Sequence, residues 1–246
     1  MRRLIPDHSP GSLLIVFIMV FLTYWLMVES VKIRSWFLKK WGPNNGVTAW
    51  FVWNKLHGTI LFGVVFSLFA FWVYPDVPAS AYALALPKDL FSWMIGIVLT
   101  ALLGIAVWQK NRVSNNKKKS FGRYPELAAS NWSLTILIID ICMWMAYLFS
   151  YELMFRGILL GMLSHSVGFW TAVGINVALY AAVHIPKGAQ EAIGALLLGY
   201  VLCILTEASG SLFTAFASHC ALAITNDISA FYYRDDMYWK SGRVSR

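Results

Sequence analysis

Charge is what this sequence has least of. Only 13% of its 246 residues are charged, against about 25% in soluble globular domains. With 59% hydrophobic residues, that shortage excludes a water-facing surface over most of the fold and predicts an integral membrane protein. Acidic side chains are scarcer than basic ones, 12 against 20. The resulting charge of +8 sits in loops between apolar runs, not on one continuous face, which favours membrane topology over nucleic-acid binding as its cause. Cysteine is rare too: Cys142, Cys203 and Cys220 each lie in an apolar run without C-x-x-C spacing. They read as small core residues with no disulfide or metal role. No H-E-x-x-H pattern is present, so a zinc site would lack its usual spacing. Small residues in an A-x-A-like cleavage pattern are missing after the apolar run Leu13–Val28, which predicts a retained first span and not a signal peptide.

Long apolar runs are what the chain has most of. They fall at about 12–28, 56–74, 91–108, 132–150, 153–163, 168–183, 192–206 and 211–225, judged against the roughly 17–25 residues of a spanning helix. Nothing between Ser150 and Gly157 is a turn signal, so the runs on either side form one long or broken helix. The expected fold is all-α, a polytopic membrane helix bundle of about seven transmembrane helices. Residues 1–130 form an N-terminal membrane region without a motif, 131–228 a bundle that holds the chemistry, and 229–246 a polar tail. Lys32–Trp41 alternates basic and aromatic residues and suits a helix in the membrane surface. The basic stretch Gln109–Asn131, with Lys117, Lys118 and Lys119, is expected on the cytoplasmic side, as is Lys32–Lys40, which leaves Asp76 and Asp89 outside. The N-terminus then lies outside as well, against the weak opposing signal of Arg2 and Arg3.

Within this apolar chain one segment stands out, Tyr151-Glu152-Leu153-Met154-Phe155-Arg156-Gly157. A charge at the bilayer centre costs at least ~2.5 kcal/mol and persists only where it is paired or faces protein or a wet cavity. Glu152 and Arg156, four apart, share a helix face and can neutralise each other. Asn176, Tyr180 and His184 form a second polar stripe at successive i, i+4 positions, and His219 lies in a further apolar helix. Helix rise from turns near Ser164–Gly168 and Ser209–Gly210 puts Glu152 ~18 Å, His184 ~24 Å and His219 ~13 Å deep from the same face. Glu152, Arg156, His184 and His219 can therefore converge. A carboxylate beside two imidazoles can activate water and stabilise an oxyanion, as amide hydrolysis requires; His and carboxylate also suit zinc. Asp140 is too far along its helix to join them and is expected to meet Lys55 or His57. Glu207 and Asp227, near helix ends, read as interfacial.

These residues resemble the CAAX protease and bacteriocin-processing (CPBP, or Abi) family of intramembrane glutamic endopeptidases. Its motifs, E-E-x-x-x-R, F-x-x-x-H and H-x-x-x-N, are matched in order by Tyr151-Glu152 to Arg156, Tyr180 to His184, and His219 to Ala223. The resemblance covers about residues 130–228. It implies hydrolysis, without a cofactor or metal, of a peptide bond in a membrane-associated or lipid-modified protein. The lipid bilayer is the surrounding partner, nucleic acid is not one, and a bacterial inner membrane is the expected location. Glu152 matches the second glutamate of the first motif, which in the family pairs with the arginine; in the leading reading it turns inward and activates water with His184, while His219 steadies the oxyanion and Arg156 orients and charges Glu152.

Two positions depart from the family pattern. Tyr151 stands where the family has its water-activating glutamate, and a phenol with a pKa near 10 is a poor base at neutral pH. Ala223 replaces the oxyanion asparagine. Asn176 is the preferred substitute, with Tyr151 and Tyr180 as further candidates for substrate contact. Asn226 is a weaker one, because it lies ~10 Å along the helix from His219. The departures keep open a catalytically silent relative that binds a peptide or partner, as in bacteriocin immunity or a membrane scaffold. A proton-coupled transporter is disfavoured, since no inverted repeat is visible between the halves.

Overall fold

The computed structural model describes residues 10–75, 77–116 and 124–240. Arg2, Arg3, Asp76 and Lys117–Lys119, used above to orient the chain, lie outside the described residues. The protein is a polytopic helical membrane protein. Helix α1 spans Gly11–Val28 and α2 Val31–Gly58. A π-helical segment, Thr59–Val65, leads into α3, Phe66–Val73, and α4 covers Leu90–Asn116. Helix α5, Leu134–Glu152, continues through a π-helical segment, Leu153–Leu159, into α6, Leu160–Val167. Helices α7 (Phe169–Ala182), α8 (Ala189–Ser209) and α9 (Leu212–Tyr233) complete the series. Six stretches are long and apolar enough to cross a membrane, among them Val31–Val73 and Leu134–Val167 as continuous runs.

The sequence accounts for these boundaries. The absence of a turn signal after Ser150 yields one 34-residue run. The basic and aromatic segment is the first half of α2, where Trp36 and Trp41 bracket Lys40 Nζ, each ring centroid 4.7 Å from it. Gly42, at φ 76° and followed by Pro43, breaks α2 there. Helix α8 ends at Gly210, whose φ of 67° lets its N–H turn back to the Glu207 and Thr206 carbonyls.

The chain forms two compact units. The first comprises residues 1–24, 58–97 and 149–217, the second 25–57, 98–148 and 218–246. The first has an aromatic core. Phe17 meets Phe155 edge-on at 5.1 Å, Phe62 stacks on Phe21 at 5.5 Å, and Phe62 meets Tyr151 at 5.8 Å. The two π-helical segments touch, and Gly63 approaches Ser150 so closely that a Cβ there would collide with the Ser150 side chain. A loop, residues 79–83, crosses the small face that Gly157 and Gly161 present one turn apart. A Cβ on Gly157 would lie 2.9 Å from the Tyr82 carbonyl, and one on Gly161 would strike that of Ala81. The Leu212 N–H, donating to the Ala83 carbonyl at 2.8 Å, holds the loop in place.

The second unit has a polar interior. The Asn111 side-chain amide donates to Asn226 Oδ1 at 2.8 Å and to Ser229 Oγ at 2.7 Å. Trp132 stacks on Phe231 at 4.7 Å, and Asn131–Trp132 pairs in parallel with Tyr238–Trp239, so the tail folds back by a short strand.

Two expectations are corrected here. Asp227 is fully buried, not interfacial, because Trp144 and Glu126 supply donors to it. Cys142 is exposed, while Cys203 and Cys220 are buried; an apolar run in a membrane helix does not distinguish a lipid-facing side from a packed one.

Candidate functional site

The first unit gathers six of the residues singled out by the sequence: Tyr151, Glu152, Arg156, Asn176, Tyr180 and His184. His219 and Asn226 belong to α9 in the second unit, and both are buried.

The site is built on the transition from α5 to its π-helical continuation. Every residue from Tyr151 to Leu160 is buried, and Glu152 and Arg156 are at most 1% exposed. Arg156 Nη1 lies 3.3 Å from Glu152 Oε2, so each charge has its counter-charge at hand, without which either would be strongly destabilising inside the protein. Arg156 Nη2 points to the Gly199 carbonyl at 3.5 Å. Gly199 belongs there because it is small: a Cβ would come within 3.0 Å of Tyr180 Cδ1 and 3.6 Å of Arg156 Nη2. Single-turn π-helical insertions are frequent at functional sites, where they re-aim side chains.

Asn176, fully buried on α7, ties three elements together. Its Nδ2 donates to the Phe155 carbonyl at 2.7 Å, and its Oδ1 accepts from Cys203 Sγ at 3.3 Å. The π-helical turn is thus pinned to α7 and α8 by one amide that uses both of its functions.

Tyr180 contacts both Arg156 and His184. Its ring takes the Arg156 guanidinium at 4.3 Å and the His184 ring at 4.8 Å. Tyr151 stacks on Phe155 at 4.7 Å and meets Tyr180 edge-on at 5.8 Å, so it is part of an aromatic cluster. His184 follows the end of α7 and is half-buried. Its Nδ1 lies 2.7 Å from the Tyr180 carbonyl. A carbonyl can only accept, so Nδ1 carries the hydrogen, and in the neutral ring Nε2 carries the lone pair. That tautomer is the one a general base needs.

A cavity of about 390 Å³ reaches this group at Arg156, while Glu152, Tyr180 and His184 are not part of its lining. Arg156, Ser164, Thr206 and Glu207 line it together with the loop at Ser80–Ala83. Among the described residues no three His, Cys, Asp or Glu side chains gather to hold a metal ion.

Residues 130–225 match the Rce1-like family, described as type II CAAX prenyl endopeptidase Rce1-like. The motif-bearing part of this chain is therefore similar to a family of membrane endopeptidases, and the match contains Glu152, Arg156, His184 and His219. Comparison with curated proteins and with solved structures gave no match. Sequence reasoning missed Gly199 and the loop at 79–83. The first has no local signal, whereas Gly157-x-x-x-Gly161 in an apolar run is a recognisable close-packing face.

Proposed function

We propose that this protein is an intramembrane endopeptidase that hydrolyses a peptide bond of a membrane-associated or lipid-modified protein. The observation that carries the reading is the fully buried Glu152–Arg156 pair on a π-helical turn, with Arg156 also forming part of the wall of a cavity. A purely structural ion pair has no need of a cavity, whereas a hydrolytic site must admit a carbonyl group and water. In this reading Glu152 and His184 activate water together: His184 Nε2 takes the proton, the hydroxide adds to the scissile carbonyl carbon, and the C–N bond breaks. His184 then gives that same proton to the departing amine, so that one water is consumed and an acid and an amine leave. Arg156 supplies the counter-charge that keeps Glu152 in place. His219 enters through its sequence motif, as the group that steadies the oxyanion. The expected location is a bacterial inner membrane.

A specific observation favours a second reading. Tyr151, in place of the family's base, is packed among Phe62, Phe155 and Tyr180, and Ala223 brings no amide. A relative that has lost the reaction would keep the cavity and bind a peptide or partner. Membrane proteomes of cells with wild-type protein, Glu152→Gln and His184→Ala separate the two. A precursor that accumulates in both variants supports the endopeptidase and names its substrate. Stable insertion of both variants with no accumulating precursor overturns it and leaves the binding protein.

A further inference from the structure

The second unit contains a cluster of ionisable groups that the proposed reaction does not use. Lys55, 2% exposed, places Nζ 2.7 Å from Glu126 Oε2 and 3.1 Å from the centroid of the Trp144 ring. Asp227, fully buried, has a donor on each oxygen: the Glu126 backbone N–H at 3.1 Å on Oδ1 and Trp144 Nε1 at 3.0 Å on Oδ2. Asp140 is the exception. It is 0% exposed, and among the described residues neither of its oxygens receives a hydrogen bond, although Trp144, one turn further along the same helix, donates to Asp227 and the two carboxyl groups influence each other.

Three carboxyl groups thus share one ammonium. The charged groups around Asp140 are Asp227 on α9, Lys55 on α2 and Glu126 in the segment before α5, and Lys55 is matched by Glu126. A buried carboxylate with no donor and no counter-charge is strongly unfavourable, and the group neutralises instead. Two carboxylates that share a site cannot readily both ionise. Asp227 is already an acceptor on both oxygens, and each oxygen keeps a second lone pair. We propose that Asp140 and Asp227 form a buried proton-binding site, in which Asp140 carries the proton and donates it to Asp227. The bound proton joins α5 to α9 by a hydrogen bond, while the Lys55–Glu126 pair joins α2 to the segment that precedes α5. Loss of the proton leaves two facing negative charges and, among the described residues, no cation near them besides Lys55, so the unit loosens as pH rises.

Infrared spectroscopy of the full chain in lipid nanodiscs tests this. Wild-type protein at neutral pH should show the carbonyl stretch of a protonated carboxylic acid, lost in Asp140→Asn. Labelling the aspartate side chains of the wild-type protein with heavy carbon should move that band, which keeps the test open even if the variant fails to fold. No such band in the folded wild-type protein, or a band unmoved by the label, overturns the site. Stability that rises with sodium chloride but not choline chloride, with the band absent, would overturn it in favour of a bound metal cation.

Discussion

The Arg156 guanidinium lies over the ring of Tyr180 at 4.3 Å, and the same ring meets His184 at 4.8 Å. A desolvated cation over an aromatic face gains about 2 kcal/mol, and here the same ring also touches the imidazole. Tyr180→Phe keeps the ring and should keep more of both stability and processing than a variant without it. Tyr180→Leu removes it, and should cost about 2 kcal/mol and lower processing, since Arg156 and His184 both lose a wall. Thermal unfolding in detergent beside a precursor assay checks this, and equal behaviour of the two variants would count against the ring's role.

Asn176 uses its amide N–H on Phe155 and its carbonyl oxygen on Cys203. Asn176→Leu removes both bonds at a fully buried position. Leaving such groups unpaired costs about 1–3 kcal/mol each, so a clear loss of thermal stability is expected. Because the bond to Phe155 holds the π-helical turn that carries Arg156, the variant should also process more slowly at temperatures where it is still folded. Retained stability and processing would show that the turn needs no such pin.

Much of this arrangement is legible in the sequence, and the failures have physical causes. Glu152 and Arg156 are four apart, and a helix brings them together whatever else it does. The turns after α6 and α8 carry Gly168 and Gly210, and the continuity of α5 with α6 follows from the lack of any breaker. The π-helical widening does not follow, because every side chain around that turn is buried and the apolar pattern has no phase to read. Gly199 faces Tyr180 from another helix, a pairing no local pattern records. Asp227 reads as interfacial because its donors, Trp144 and Glu126, come from distant parts of the chain. Cys142 reads as core because lipid-facing and packed positions are equally apolar.

Gly161 marks where the loop at 79–83 rests on the site helix. A Cβ there strikes the Ala81 carbonyl, a backbone atom that cannot swing aside as a flexible side chain can. Gly161→Val should therefore cost about 1–3 kcal/mol, as overpacking does, and displace the loop that forms part of the cavity wall. Limited proteolysis near Ala81 should become faster. Gly174→Ala is the control, since open space surrounds that glycine, and should change neither. Equal sensitivity of the two variants would remove the loop contact as the cause.

Asp89 starts α4 by accepting the Ser92 backbone N–H on Oδ1 at 2.7 Å, the geometry of a helix cap. That hydrogen bond, ahead of the smaller influence of Lys88, holds its carboxyl below the usual range. A carboxyl whose pKa is lower in the folded than in the unfolded state contributes stability above its unfolded value of about 3.9, and that stability is lost as pH falls through the folded value. The Ser92 amide should accordingly be protected from hydrogen exchange at neutral pH in the wild-type protein and less so in Asp89→Ala, with the two converging in acid. The carboxylate is solvent-exposed, so the effect should stay local to the first turn of α4 and leave the melting temperature nearly unchanged. A protection difference that persists undiminished in acid would show that the cap does not depend on the ionised carboxylate.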